Sequence, residues 1–89
     1  MKADDVICEV AKLCREYNAS EVVLYGSRAK GTARERSDID IAVSGVDRFD
    51  ELVEKVEDLP TLYQVDLLNK DTCKNALLLE DIAEYGREI

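Results

Sequence analysis

Histidine is absent from this 89-residue chain, and its three cysteines, Cys8, Cys14 and Cys73, include no CxxC pair. A zinc site and a disulfide framework therefore lack their usual ligands, and the odd cysteine count suits a reducing compartment. Long hydrophobic runs are missing too. No stretch approaches the roughly 20 apolar residues that cross a bilayer, and no signal-peptide core opens the chain. The expectation is a soluble, cytoplasmic protein with no membrane partner. Length is also short: residues 1–89 suffice for one domain with one core and leave nothing for a second lobe.

Basic charge is scarce, with 12 Lys and Arg against 20 Asp and Glu and a net charge of −8. Such a surface repels a phosphodiester backbone, which argues against a nucleic-acid partner. The exception is local. Arg28, Lys30, Arg34 and Arg36 fall in one short stretch whose only acid is Glu35. A small basic patch on an acidic protein suits a compact polyanion such as a triphosphate.

Apolar spacing supplies the elements. Val6, Val10, Leu13 and Tyr17 recur at helical intervals and predict a first helix, with Asp4 and Asp5 near its positive end. Val22–Tyr25 is a short β-branched run stopped by Gly26, and reads as a buried strand. A short helix from Ser27 to about Glu35 follows, with Ser27 as its N-cap. Asp38–Val43 predicts a second strand closed by Ser44-Gly45. Phe49, Leu52, Val53 and Val56 predict a helix capped by Asp47, and Pro60 ends it. Leu62–Leu68 predicts a third strand, Asn69–Thr72 a turn, and Cys73–Tyr85 a last helix stopped by Gly86. The class is α/β (α+β), a small sheet of three or four strands with helices packed on it.

Three features carry chemistry. Gly26-Ser27-Arg28-Ala29-Lys30-Gly31 directly follows the first strand; glycine allows close backbone approach, and helix-start N–H groups with the Ser27 hydroxyl suit an anion. Arg28 and Lys30 add positive charge beside that cradle and are candidate phosphate contacts. Asp38 and Asp40 stand two apart on a strand, so they share a face with Cα atoms roughly 6.5 Å apart. Strands are poor in aspartate and like charges repel, so a hard cation such as Mg²⁺ or Mn²⁺ is the natural partner. Asp66 is a lone acid in the third strand. Placed beside the second, it brings a third carboxylate, enough to hold two metal ions roughly 4 Å apart.

The paired run Gly26–Gly31 and Ser37-Asp38-Ile39-Asp40-Ile41 resembles the signature of the DNA polymerase β-like nucleotidyltransferase superfamily. Within it the chain is most similar to the minimal nucleotidyltransferases, antitoxins encoded beside HEPN-domain toxins. The likeness runs over most of the chain, to Glu84-Tyr85-Gly86. It implies the polymerase β-like palm fold, with Gly26 and Ser27 holding the triphosphate tail. It also implies Asp38 and Asp40 as ligands of two Mg²⁺ ions, with Asp66 binding the catalytic one and helping to deprotonate the attacking hydroxyl. The implied reaction moves AMP from ATP to a tyrosine hydroxyl of a partner HEPN toxin and thereby blocks its RNase site.

Two other functions use the same residues. One is a module that neutralises a partner by docking, with nucleotide serving only to stabilise the complex. A transferase acting on a small molecule is the third reading, although few residues are spare for an acceptor pocket. The last helix, with Ala76, Leu77, Leu78, Leu79, Ile82 and Ala83, is apolar over a wider band than one buried stripe needs. Core packing accounts for part of it; a partner, or a second copy in a homo-oligomer, is the use left for the rest.

Overall fold

The computed structural model describes Met1–Ile89. Its first helix, α1 (Ala3–Glu16), buries Val6, Val10, Ala11 and Cys14 along one stripe. Asp4 and Asp5 lie in its first turn, against the positive end of the helix dipole. Then come β1 (Glu21–Tyr25), the single-turn α2 (Ser27–Lys30), β2 (Ile39–Ser44) and α3 (Phe49–Glu57). The chain finishes with β3 (Val65–Asn69), α4 (Ala76–Tyr85) and the two-residue β4 (Arg87–Glu88).

The strands form one mixed sheet in the order β3-β2-β1-β4. β1 runs antiparallel to both β2 and β4, while β2 and β3 are parallel. A parallel pair needs a crossover rather than a hairpin, and α3 supplies it. Alternation along β2 then decides the layers. Ile39, Ile41 and Val43 point into the main core with Val22 and Leu24, against Val6, Val10, Ala11 and Cys14 of α1 and Leu52 and Val56 of α3. Side chains such as Leu52, fully buried, stabilise the fold by about 1.5–3 kcal/mol each. On the opposite face Val23 and Ala42 meet Ile82 of α4, with Leu68 and Leu78 alongside. That second layer is thin. Ile82 is the one buried residue of α4, and Leu77 remains 78% exposed.

Several boundaries differ from those expected, each for a local reason. α2 is only one turn, because Gly31 at φ 77° takes the left-handed conformation that ends it. Its N-cap is Gly26, so Ser27 is the first helical residue instead of the cap. Asp47 does not cap α3; its carboxylate accepts from the Asn18 side chain at 2.8 Å, and Arg48 in a left-handed conformation opens the helix. β3 starts at Val65, after a turn in which Tyr63 N–H donates to the Thr61 hydroxyl; Leu62 is wholly exposed. α4 starts at Ala76, where Asn75 caps it by accepting from Leu78 N–H at 3.1 Å.

β4 is the fourth strand. Gly86 permits it by lying flat on the sheet: a Cβ there would stand 2.3 Å from the Ile82 carbonyl oxygen and 2.5 Å from Val23 Cγ1.

Candidate functional site

Register across the sheet aligns Tyr25 of β1 with Asp40 of β2, and Asp40 with Asp66 of β3. Partners in register share a face, so the three form a row. It is the row next to Val23–Ala42–Leu68, which α4 covers. Asp38 lies one residue before β2 and is exposed, as is Asp66, whereas Asp40 is half-buried. β2 starts at Ile39, one residue later than expected, so alternation places Asp40 on this face while Asp38 precedes the strand; the parallel pairing brings Asp66 alongside Asp40.

Adjacent strands lie roughly 4.8 Å apart, and like charges directly opposite each other destabilise a sheet. The strain is visible in protonation. Burial pushes the Asp40 carboxyl above the usual carboxylate range, and the charges of Asp66 and Asp38 and a hydrogen bond with Asp66 push it the same way. Tyr25 is affected from the other side of the row. Its phenol is pushed up to about 12, by burial first and then by the charges of Asp40, Asp66 and Cys73. Negative potential is therefore focused on one spot. No three acidic, thiol or imidazole groups close into a ready-made ligand cage. Asp40 and Asp66 meet, and Asp38 acts on Asp40 through space.

Gly26 borders this spot. Its φ of 71° is one that side-chain-bearing residues rarely adopt. A Cβ on it would stand 2.4 Å from Asp40 Oδ2, so the absent side chain is what admits the carboxylate beside the turn. Ser27 follows at the start of α2 and is half-buried. The Gly26 carbonyl accepts from Ala29 and Lys30 N–H, which fixes the turn.

The two basic candidates are engaged within the chain. Lys30 pairs with Asp81 of α4 at 2.9 Å and lies 5.0 Å from the centroid of the Tyr85 ring. Arg28 donates twice to the Ser37 carbonyl, at 2.7 and 3.2 Å, and once to the Glu35 carbonyl at 3.2 Å. Its guanidinium carbon also lies over the Tyr63 ring, 5.2 Å from the centroid. Tyr25 closes the apolar run Val22–Tyr25, which hides it among strand residues; its signal is its place immediately before Gly26.

A glycine-ended strand running into one helical turn, beside two carboxylates on a mixed sheet, has the architecture of a nucleotidyltransferase catalytic domain. The chain belongs to the polymerase β nucleotidyltransferase family, whose model matches residues 9–89. Solved structures agree. The chain is 27% identical to a protein of a toxin–antitoxin complex crystallised with AMP-PNP, with a TM-score of 0.70 over 92% of this chain and 70% of that one. It is similar to chains of two variants of the MntA–HpeT toxin–antitoxin, in both cases over 92% of the present chain. One variant carries two Asp→Glu substitutions (25% identity, TM-score 0.69, 70% of that chain) and the other a Tyr→Ala substitution (27%, 0.71, 69%). Among curated proteins none matches the chain.

Proposed function

We propose that the chain is a metal-dependent nucleotidyltransferase that moves AMP from ATP to a hydroxyl, a tyrosine in the first instance, of a partner HEPN toxin, and so acts as its antitoxin. The observation that carries this reading is Asp40 held against Asp66 and Gly26, an arrangement that costs stability and serves no core. Functional sites are where such strain is retained. The similarity to toxin–antitoxin structures, one of them with AMP-PNP, supports the antitoxin setting and the adenine nucleotide. The acidic surface also suits a protein that acts on an RNase by meeting its basic, RNA-binding side.

Hard oxygen donors crowded at one point fit Mg²⁺ or Mn²⁺. Asp38, Asp40 and Asp66 would hold two such ions, which would screen the phosphate charge and ease deprotonation of the acceptor hydroxyl. The chain's own groups do the rest. Gly26 lets the triphosphate tail come close to the backbone, and Ser27 offers its hydroxyl. Asp66, exposed at the edge of the row, receives the proton of the incoming hydroxyl. The hydroxyl oxygen bonds to the α-phosphorus in line as the bond to pyrophosphate breaks.

Intact-mass spectrometry tests the proposal. The chain is incubated with ATP, Mg²⁺ and its co-purified HEPN-domain partner, beside an Asp40→Asn control. Adenylate mass added to the partner by the unmodified chain alone is expected. A partner that stays bound to both versions and gains no mass would replace the transferase with a docking module, whose surface would include the exposed Leu77.

A further inference from the structure

The basic patch invites the view that Arg28 grips a phosphate, and the geometry points elsewhere. Arg28 lies on α2, next to the cradle, but its guanidinium faces the two segments that lead into the carboxylate strands. Its Nε and Nη2 both donate to the carbonyl of Ser37, the residue before Asp38, and Nη2 also donates to Glu35. Its guanidinium carbon lies over the ring of Tyr63, three residues before Asp66. The two segments are also joined directly, since Ile39 N–H donates to the Gln64 carbonyl at 2.9 Å. The 34–37 turn is closed on itself, with Arg34 N–H donating to the Ser37 hydroxyl and Ser37 N–H to the Arg34 carbonyl.

We infer that Arg28 is a positioning residue, which ties the cradle helix to the entrances of β2 and β3 and so sets where Asp38, Asp40 and Asp66 stand relative to the triphosphate. Only a planar fork with several fixed donors can serve one carbonyl twice, reach a second and lie over a ring. Lysine keeps the charge and loses the fork. It still binds phosphate as a point charge. The two roles therefore separate on one substitution. The kinetic consequence rests on the transferase reading above; the order of the loop does not.

The test uses the full chain as Arg28→Lys, Arg28→Ala and Tyr63→Leu. Hydrogen exchange is followed over residues 34–39 without nucleotide or metal, with the β1 amides as a control for global folding. Positioning predicts about tenfold faster exchange in that segment for both Arg28 variants, and a smaller rise for Tyr63→Leu, with β1 unchanged. Turnover should fall about 10- to 100-fold in Arg28→Lys and Arg28→Ala alike, as displacement of catalytic groups by an ångström does. KM for ATP should stay within about threefold, and the Mg²⁺ concentration for half-activity should rise.

Unchanged exchange in all three variants would overturn the inference. So would turnover retained by Arg28→Lys together with a raised KM for ATP in Arg28→Ala, the signature of a phosphate contact. Should an Arg28 variant fail to fold, Tyr63→Leu still decides, because it keeps the guanidinium and removes only its support. A loosened loop in a chain whose unmodified form transfers nothing would uphold the positioning role and refute the transferase.

Discussion

Replacing Gly26 with alanine tests the contact on which the site is built. Two costs add. The backbone at φ 71° and ψ −154° is glycine territory, and forcing a side chain to adopt it costs about 1–3 kcal/mol. The new Cβ would also stand 2.4 Å from Asp40 Oδ2 and 3.2 Å from its Cγ, an overpacking worth about 1–3 kcal/mol more. A chain of this size is stable by only about 4–13 kcal/mol. A total loss of 2 kcal/mol or more would lower Tm by about 10 °C or more.

The two costs separate in a double-mutant cycle. In Asp40→Ala the colliding atoms are gone, and the remaining Cβ is an ordinary 3.4 Å away. Gly26→Ala should then cost only the backbone term, with a coupling of about 1–3 kcal/mol. Gly31→Ala is the companion control. It has φ 77° and nothing within 4 Å, so it should cost about 1 kcal/mol and leave Asp40 in place. Thermal unfolding followed by circular dichroism measures all four. Equal costs of Gly26→Ala with and without the Asp40 carboxylate would show that the contact constrains nothing.

Other expectations follow from the same structure. Asp40→Asn should raise stability at neutral pH: a carboxyl whose folded pKa lies above its unfolded value binds its proton more tightly in the native state, so ionising it opposes folding. The gain should shrink as pH falls through the folded pKa toward the unfolded one; denaturant midpoints between pH 7 and pH 4 that keep a constant difference would contradict this. Gly86→Ala should cost about 2 kcal/mol or more, because its Cβ would meet the Ile82 carbonyl and Val23. Exchange of the Ile89 N–H, which donates to the Val22 carbonyl, should rise with it, and an unperturbed α4–β4 junction would count against this packing. A thiol reagent at pH 8 should modify exposed Cys8 and spare Cys14, which is buried with its thiol pushed up to about 11; equal labelling rates in the folded protein would place Cys14 wrongly.

Much of the site was legible because strand periodicity is simple. Ile39 and Ile41 go to the core, so alternation puts Asp40 on the other face of β2, and Asp38, just before the strand, acts on it through space. Asp66 was legible as an anomaly in an apolar run. Its place beside the Asp38–Asp40 strand is expected only on condition that the two strands are neighbours; the pairing of Asp66 with Asp40 itself depends on the register of two parallel strands joined by α3. Tyr25 joins the row for the same reason.

Arg28 and Lys30 show a different limit. Charge density is read from sequence, but what a long side chain touches is set by loops that periodicity does not describe, and both found partners inside the chain. The strand Arg87–Glu88 carries no apolar alternation at all; its place follows from Gly86 letting the chain reach β1. The last helix is broadly apolar in sequence, and the structure divides that band, with Ile82 buried and Leu77 left outside.

We propose that Asp40, Asp66 and the Gly26 turn form one site for a metal–triphosphate complex. Thermal unfolding with a non-hydrolysable ATP analogue, with and without Mg²⁺, tests it most directly, with Asp40→Asn/Asp66→Asn in parallel. At 100 times Kd the analogue with Mg²⁺ should stabilise the unmodified chain by about 2.7 kcal/mol, a rise in Tm of about 10–20 °C. The double variant should lose that rise. An equal rise without Mg²⁺, or in the double variant, would show that these groups do not form one metal–triphosphate site.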